Sequence, residues 1–95
     1  MQVLGLLKIE ECKKKHADAR AQLDAWRLDV EAANWNEPQD IKNHYATASF
    51  LAENRIIFNI KGNSYRLVVK VKYKNGLVLI EWIGTHAEYS KQKFE

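Results

Sequence analysis

Apolar residues recur every three or four positions through the first half of the chain, which is the spacing of one face of an α-helix. A short helix is predicted to begin at Leu6, and a longer amphipathic helix follows, with Asp18 as its N-cap. The apolar stripe of this second helix comprises Leu23, Trp26, Val30 and Ala33. The stretch NEPQ predicts a third helix that runs to about Tyr45, with Asn36 as its cap and Gln39 completing a capping box.

From Arg55 the period shortens to two, which is the spacing of a half-buried β-strand. RIIFNIK and YRLVVKVKY predict two such strands, and Asn75-Gly76 predicts a hairpin turn into a third, the apolar stretch LVLIEWI. The opening MQVL favours a further strand at one edge of the sheet. The expected fold is α+β: one domain over residues 1–95, with N-terminal helices packed on a twisted antiparallel sheet.

Composition narrows the class of protein. Hydrophobic residues make up 46% of the chain and charged residues 28%, which is the balance of a soluble globular domain. No apolar run approaches the roughly 20 residues that span a bilayer, and no secretory signal is evident, so we expect a cytoplasmic protein without a membrane partner. The single cysteine, Cys12, and the scattered histidines show no metal-ligand spacing, so we expect neither a metal nor a cofactor.

Positive charge is concentrated in the second half of the chain. Residues 1–52 hold 7 Lys and Arg against 8 Asp and Glu, whereas residues 53–83 hold 6 against 2. If the apolar positions of the strands face the helices, strict alternation places polar residues on the opposite face. These residues are Arg55, Asn59, Lys61, Arg66, Lys70 and Lys72. Such a face favours phosphate binding, although a lysine-rich face that only keeps the sheet soluble is the simpler alternative.

Two features near the last strand carry candidate chemistry. Glu81 is the one charged residue in LVLIEWI, and it serves either as an ion-pair partner for a neighbouring cation or as a carboxylate base in a basic cleft. After the strand, Thr85 and Glu88 form a predicted capping box for one turn of helix. On that turn His86 and Tyr89 share a side. By itself this spacing is more typical of packing than of catalysis.

The stretch NRIIFNIKGNSYRLVVKVKYKNGLVLIEWIGTHAEYSK, residues 54–91, resembles the C-terminal half of the HigB toxins, which belong to the RelE-like superfamily of bacterial toxin-antitoxin systems. Pieces of the N-terminal half also match in order: KHADA, AW, WNEP, DIK and ATAS. The resemblance thus covers essentially the whole chain. Its most specific parts are FNIKGN followed by YRLVV, and GTHAEY.

The resemblance implies a RelE-like fold and a toxin that cleaves mRNA in the decoding site of the small ribosomal subunit. In this superfamily the ribose 2′-hydroxyl attacks the adjacent phosphate without a metal. That chemistry needs a group that takes a proton, cations that stabilise negative charge, and an acid for the leaving oxygen. The implied partners are mRNA on the ribosome and a co-encoded helix-turn-helix antitoxin of the HigA type.

The resemblance also assigns roles to single residues. Arg66 matches the family arginine and is expected to hold the scissile phosphate, because a guanidinium can bind two oxygens at once. His86 is expected to transfer the proton, and Tyr89 to orient a base or assist protonation. Further cations expected to contact RNA are Arg55, Lys61, Lys70, Lys72 and Lys91. Asn59, Gly62 and Asn63 match the motif but are expected to shape the hairpin, and Trp26, Trp35 and Trp82 are expected in the core.

Two residues depart from the family pattern. Ser90 follows GTHAEY where aspartate is usual, and Glu81 stands where a basic residue is more common. An anion in the cleft would weaken phosphate binding, so the activity is either attenuated or uses Glu81 as its base. Two other hypotheses remain open: a non-catalytic RNA or ribosome binder on the same fold, and an interaction module whose basic face meets an acidic partner.

Overall fold

The computed structural model of the protein describes residues 1–92, and within them five strands form one mixed sheet against which helices pack. The strands are β1 (Gln2–Leu4), β2 (Ser49–Phe50), β3 (Arg55–Ile60), β4 (Tyr65–Lys72) and β5 (Leu77–Thr85). The helices are α1 (Leu6–Lys15), α2 (Arg20–Ala32), α3 (Pro38–His44) and α4 (His86–Tyr89). Short 3-10 turns lie at Ala17–Ala19 and Tyr73–Asn75. The predicted α+β class and its helices-on-sheet arrangement are confirmed.

The strand order across the sheet is β1-β5-β4-β3-β2. β2, β3, β4 and β5 pair antiparallel, as the meander predicted, whereas β1 pairs parallel to β5, with Val3 opposite Val78. The predicted N-terminal edge strand is therefore confirmed. The two-residue strand β2 was not predicted, because two residues are too few to show a period.

The hydrophobic core lies between the helices and one face of the sheet. α2 contributes Leu23, Trp26 and Val30, all buried. The ring of Trp26 meets Phe58 of β3 edge to face, with ring centroids 5.5 Å apart, a favourable aromatic arrangement. Further buried side chains on this face are Ile56, Ile60, Leu67, Val69, Val71, Val78 and Ile80. The alternation read from the sequence therefore identified the core face of β3 and β4.

Gly5 joins β1 to α1 at a point where the backbone has no room for a side chain. Its φ is +87°, in the left-handed region that favours glycine, and a Cβ there would lie 2.9 Å from the backbone oxygen of Ile80. The turn lets α1 start directly against β5. The position of α1 over this strand therefore depends on the absence of a side chain at residue 5.

Two predicted helix caps are wrong. Asp18 does not cap α2, because residues 17–19 form a 3-10 turn and the helix begins at Arg20. The Asp18 carboxylate instead accepts hydrogen bonds from the Tyr65 hydroxyl at 2.6 Å and from Lys61 Nζ at 2.9 Å. It thus ties the 3-10 turn to the β3–β4 hairpin.

The cap of α3 lies one residue later than predicted. Glu37, not Asn36, is the N-cap, and Asp40, not Gln39, is the third helical residue. The Asp40 carboxylate accepts from the backbone N–H groups of Asn36 and Glu37, at 2.9 and 3.3 Å. Because the Asp40 carboxylate lies in the first turn, its negative charge also interacts favourably with the positive end of the helix dipole.

The turn between β4 and β5 is longer than the two-residue hairpin that Asn75-Gly76 predicted, because residues 73–76 connect the paired Lys72 and Leu77. β4 ends at Lys72, so Tyr73 begins a 3-10 turn instead of extending the strand, and Gly76 closes the turn with a φ of +64°.

No helix within residues 1–92 is both long and apolar enough to cross a membrane.

Candidate active site

The face of the sheet opposite the helices carries the candidate site. Along β4 this open face presents Arg66, Val68, Lys70 and Lys72, because successive side chains alternate. In the register with β3, Asn59 lies opposite Arg66 and Arg55 lies opposite Lys70. At about 3.3 Å per residue, Lys70 and Lys72 follow Arg66 at roughly 13 and 20 Å along the strand. The open face is thus a basic track with Arg66 at one end.

A β-bulge in β5 changes which of its residues face this track. Val68 pairs with Trp82, but Val69 pairs with Ile80, so Glu81 is an extra residue without a cross-strand partner. A bulge of this kind shifts the alternation by one position. Consequently Trp82 lies on the open face beside Val68, whereas Ile83 packs against the core. The prediction that Trp82 belongs to the core is wrong, while Trp26 and Trp35 are buried as predicted.

Glu81 forms an ion pair across the open face. Its Oε1 accepts a hydrogen bond from Nε of Arg55 at 2.6 Å, and both side chains are about a quarter exposed, at 24% and 27%. The pair bridges β5 to β3 over the intervening β4. Glu53 also contacts Arg55 at 3.3 Å. The carboxylate of Glu81 raises the pKa of the Arg55 guanidinium. Arg55 therefore lies on the predicted face, but its charge is balanced by two carboxylates.

Arg66 packs against the ring of Tyr89, which in turn contacts Trp82. Its guanidinium carbon lies 4.6 Å from the centroid of the Tyr89 ring, within the range of a cation–π interaction. The rings of Tyr89 and Trp82 meet edge to face with centroids 5.9 Å apart. Tyr89 belongs to α4, and Arg66 and Trp82 belong to neighbouring strands. The contact thus anchors the short helix to the end of the basic track.

Gly84 makes room for this arrangement. It lies opposite Arg66 in the register of β4 and β5. A methyl group at its Cα would lie 2.8 Å from the Trp82 ring carbons Cη2 and Cζ2 and 2.9 Å from Oε1 of Glu88. Only a glycine therefore allows the indole and the carboxylate to approach the strand here.

A capping box sets the direction of α4 and the position of His86. The Thr85 hydroxyl accepts from the Glu88 N–H at 3.1 Å, and Glu88 Oε1 accepts from the Thr85 N–H at 2.8 Å. These bonds to Thr85 lower the pKa of the Glu88 carboxyl, so it is charged at neutral pH. His86 is the first residue of the helix, exposed, and its N–H donates to the carbonyl oxygen of Ser64 at 3.1 Å. The predicted capping box is confirmed.

His86 and Tyr89 are three residues apart on α4, a spacing that places two side chains on one side of a helix. Arg66 contacts Tyr89 and is only partly buried, and His86 is exposed. The structure therefore brings the three predicted catalytic residues to the same end of the sheet, and none of them is sealed in the interior.

Two buried polar atoms on this face have no hydrogen-bond partner within residues 1–92: Nε of Arg66 and Oδ1 of Asn59. The two residues lie directly opposite each other in β4 and β3. An unpaired buried polar atom costs folding free energy unless a ligand or solvent satisfies it. Their position at the end of the basic track is that expected of a site that receives a polar ligand.

The remaining predicted RNA-binding residues have different positions. Lys61 lies in the β3–β4 turn, where Nζ contacts the Asp18 carboxylate at 2.9 Å on the helix side of the sheet. Lys91 is exposed in the turn that follows α4. Lys70 and Lys72 stay on the open face with Arg66. The described residues thus place Lys61 apart from the basic track.

A cleft of about 240 Å³ lies beside the site, between α1 and the second half of β5. Trp82, Gly84 and Glu88 line it on one side, and Cys12 and His16 lie on the other. Burial raises the pKa of the Cys12 thiol, which keeps the thiol protonated at neutral pH.

The sequence did not predict Trp82 and Gly84 as site residues. A glycine directly before the capping-box threonine was the available signal.

The site offers cations and an exposed imidazole. Within residues 1–92 no three His, Cys, Asp or Glu side chains lie close enough together to hold a metal ion. Arg66 can bind two phosphate oxygens, and the exposed imidazole of His86 has two ring nitrogens that can donate or accept a proton. The arrangement suits stabilisation of an anion combined with proton transfer.

Comparison with known proteins gives one family. The family model HigB_toxin, described as the RelE-like toxic component of a toxin-antitoxin system, matches residues 19–92. The match includes the whole of the basic track and α4. A search of curated proteins finds no match to the chain.

Proposed function

Since this chain belongs to the HigB_toxin family of RelE-like toxins from toxin-antitoxin systems, we propose that it is an endoribonuclease that cleaves mRNA in the decoding site of the ribosome and so stops translation. Family membership also implies a cognate antitoxin as its partner. We further propose that this antitoxin is a co-encoded helix-turn-helix protein of the HigA type.

The observation that carries the proposal is the contact between Arg66 and Tyr89. It attaches α4, and with it His86, to the end of a strand that presents Arg66, Lys70 and Lys72 to a polyanion. A phosphate bound by Arg66 would satisfy the unpaired Nε. It would also lie at the end of the sheet from which α4 begins. Charge stabilisation and proton transfer thus come from adjacent elements.

In the proposed reaction the ribose 2′-oxygen forms a bond to the adjacent phosphorus, and the bond from phosphorus to the 5′-oxygen breaks. The products are a 2′,3′-cyclic phosphate and a 5′-hydroxyl. Arg66 stabilises the charge on the phosphoryl oxygens, His86 takes the 2′-proton as the new bond forms, and the leaving 5′-oxygen takes a proton from solvent water. Tyr89 holds the guanidinium in place. We assign proton transfer to His86 and not to Glu81, because the Glu81 carboxylate is bound to Arg55.

The test is expression of the chain without its antitoxin, followed by mapping of new 5′ ends on translated mRNA. The wild type is expected to arrest growth and to produce cuts within coding sequences. His86→Ala and Arg66→Ala should abolish both effects. Arg20→Ala, which removes an exposed arginine of α2, is the matched control and should remain toxic. Full toxicity of the His86 and Arg66 variants would refute the assigned site.

A second candidate function is ribosome or RNA binding without cleavage. The observation that favours it is the ion pair of Arg55 and Glu81, which removes one cation from the basic track. This function predicts RNA binding that weakens steeply with salt, together with arrested translation and intact mRNA. The same mapping of 5′ ends separates the two functions.

A further inference from the structure

One face of α1 borders the cleft beside the proposed active site. Lys8, Glu11, Cys12 and Lys15 line it at positions i, i+3, i+4 and i+7, which is the spacing of a single helical face. Two lysines thus flank a carboxylate on this wall. The opposite wall is formed by β5 and α4 and includes the indole of Trp82.

The cleft adjoins the proposed active site directly. Trp82 and Gly84 line the cleft, and the same two residues contact the Arg66 site: the Trp82 ring meets Tyr89, and Gly84 pairs with Arg66. The Trp82 ring and the Glu88 carboxylate pack over Gly84, so the indole borders both the cleft and the Arg66 site. A nucleotide chain whose phosphate lies at Arg66 could therefore place a neighbouring base in the cleft.

The size of the cleft suits a small planar group. Its volume of about 240 Å³ is below the roughly 300–1,000 Å³ typical of sites for drug-sized ligands. Unstacked RNA bases bind in such places by stacking on aromatic side chains and by hydrogen bonds to their Watson–Crick edges. Trp82 supplies the aromatic surface, and Lys8 and Lys15 supply positive charge for the attached phosphates.

The carboxylates of the cleft favour one kind of base. Glu81 is bound to Arg55, and Glu88 Oε1 is bound to the Thr85 N–H. Glu11 is exposed, and it makes no hydrogen bond or ion pair with any of residues 1–92. A carboxylate offers two acceptors side by side. Among the RNA bases, guanine presents two adjacent N–H donors, N1–H and N2–H, on its Watson–Crick edge.

We propose that the cleft binds a guanine base of the RNA next to the scissile phosphate, stacked on Trp82 and hydrogen-bonded to Glu11. The proposal rests on the proposed function for its source of RNA, but the binding site itself can be measured apart from cleavage. Cytosine and adenine each present one amino donor beside an acceptor, and uracil presents a single N–H. A carboxylate pairs less well with these three bases.

Binding is tested on the purified full-length chain carrying His86→Ala, which removes the toxicity expected of the wild type. Guanosine 5′-monophosphate is expected to quench tryptophan fluorescence and to bind at least about tenfold more tightly than cytidine 5′-monophosphate. Adding Trp82→Phe should remove most of the quenching. Adding Glu11→Gln should equalise the two nucleotides, whereas Glu10→Gln, on a residue paired with Lys13, should not. Equal affinities in the parent chain would overturn the proposal.

Cleavage provides the second readout. Guanine should be enriched at one position next to the mapped cuts of the wild type, and Glu11→Gln should remove the enrichment while cutting continues. A Glu11→Gln variant that keeps the guanine enrichment, or one that only loses antitoxin binding, would refute the base site. If the His86→Ala chain binds guanosine 5′-monophosphate but the wild type cuts no mRNA, the proposed function is refuted and the base site still stands.

Discussion

The guanidinium carbon of Arg66 lies 4.6 Å from the centre of the Tyr89 ring. A cation on the middle strand of the sheet is thus held by α4, the one-turn helix that follows β5. The contact fixes two things at once: the direction of the guanidinium and the docking of α4 on β4. Any change to either residue should therefore affect both phosphate binding and the position of His86.

Replacement of Arg66 by lysine should lower cleavage by about 10²-fold or more, although the charge is kept. A lysine cannot bind two phosphoryl oxygens in a fixed plane or lie flat on the Tyr89 ring. Tyr89→Phe keeps the ring face and should lower cleavage by less than about tenfold. Single-turnover cleavage on programmed ribosomes measures both. A larger loss for Tyr89→Phe would show that the hydroxyl itself takes part in the reaction.

Replacement of Glu81 by glutamine should strengthen RNA binding. It removes the closer carboxylate from Arg55 and leaves only the exposed Glu53 at 3.3 Å. With Arg55 available for one more phosphate contact, the slope of log K against log salt for single-stranded RNA should steepen by about 0.7. A salt titration with a short oligonucleotide measures this. Glu31→Gln, which breaks the Arg27 ion pair on α2, should leave the slope unchanged. Tighter binding combined with lost cleavage would identify Glu81 as the base.

Replacement of Gly84 by alanine should destabilise the protein by about 1–3 kcal/mol, because the new methyl group would overlap the Trp82 ring and the Glu88 carboxylate. Urea unfolding measures the loss. A smaller side chain at residue 82 should relieve the overlap, so Trp82→Leu combined with Gly84→Ala should lose less than the sum of the single changes. Additive losses would contradict the contact.

Stability should fall at low pH partly through Asp18. Hydrogen bonds from Tyr65 and Lys61 lower the pKa of the Asp18 carboxyl. Its contribution is therefore complete above the unfolded value of about 4 and is lost as the pH falls through the folded value. Asp18→Asn should lower the urea midpoint at pH 7, and the difference from wild type should shrink below about pH 4. A difference that is constant with pH would contradict this.

The stability contributed by Tyr65 changes with pH in the opposite direction, because the Asp18 carboxylate raises the pKa of the Tyr65 hydroxyl to about 12. Tyr65 contributes stability below its unfolded value of about 10, and this contribution is lost as the pH rises towards 12. Tyr65→Phe should therefore differ from wild type at pH 7 and 9 and differ less at pH 12. Urea midpoints at these three values test it, and a difference that does not diminish at pH 12 would rule it out.

Periodicity was sufficient to predict the helices, the three main strands and the core face of β3 and β4, because burial on one face repeats with the period of the backbone. It failed at β5. Strict alternation along LVLIEWI places Trp82 on the same face as Val78 and Ile80, but the extra residue at Glu81 reverses the two faces beyond it. The bulge arises from the way β5 pairs with β4, and the residue pattern of one strand contains no information about that pairing.

The sequence predicted those site residues that belong to a motif. It did not predict those whose position depends on contacts between separate elements. Arg66, His86 and Tyr89 follow from the resemblance, and the structure places them at one end of the sheet. The same sequence reading placed Lys61 with the basic face, yet it lies against Asp18. That contact joins residues 43 positions apart, so a local pattern of charge could not reveal it.

The left-handed turn at Gly5 sets how closely the first helix approaches the sheet, and with it the width of the proposed base site. Any side chain there would press on the backbone of Ile80 and push the first helix outward, away from the strand that leads into α4. Such a shift would move Lys8, Glu11 and Lys15 while leaving the arginine and the imidazole where they are. For the proposed base site, a side chain at this glycine would therefore change the base preference, while the proposed cleavage itself would continue.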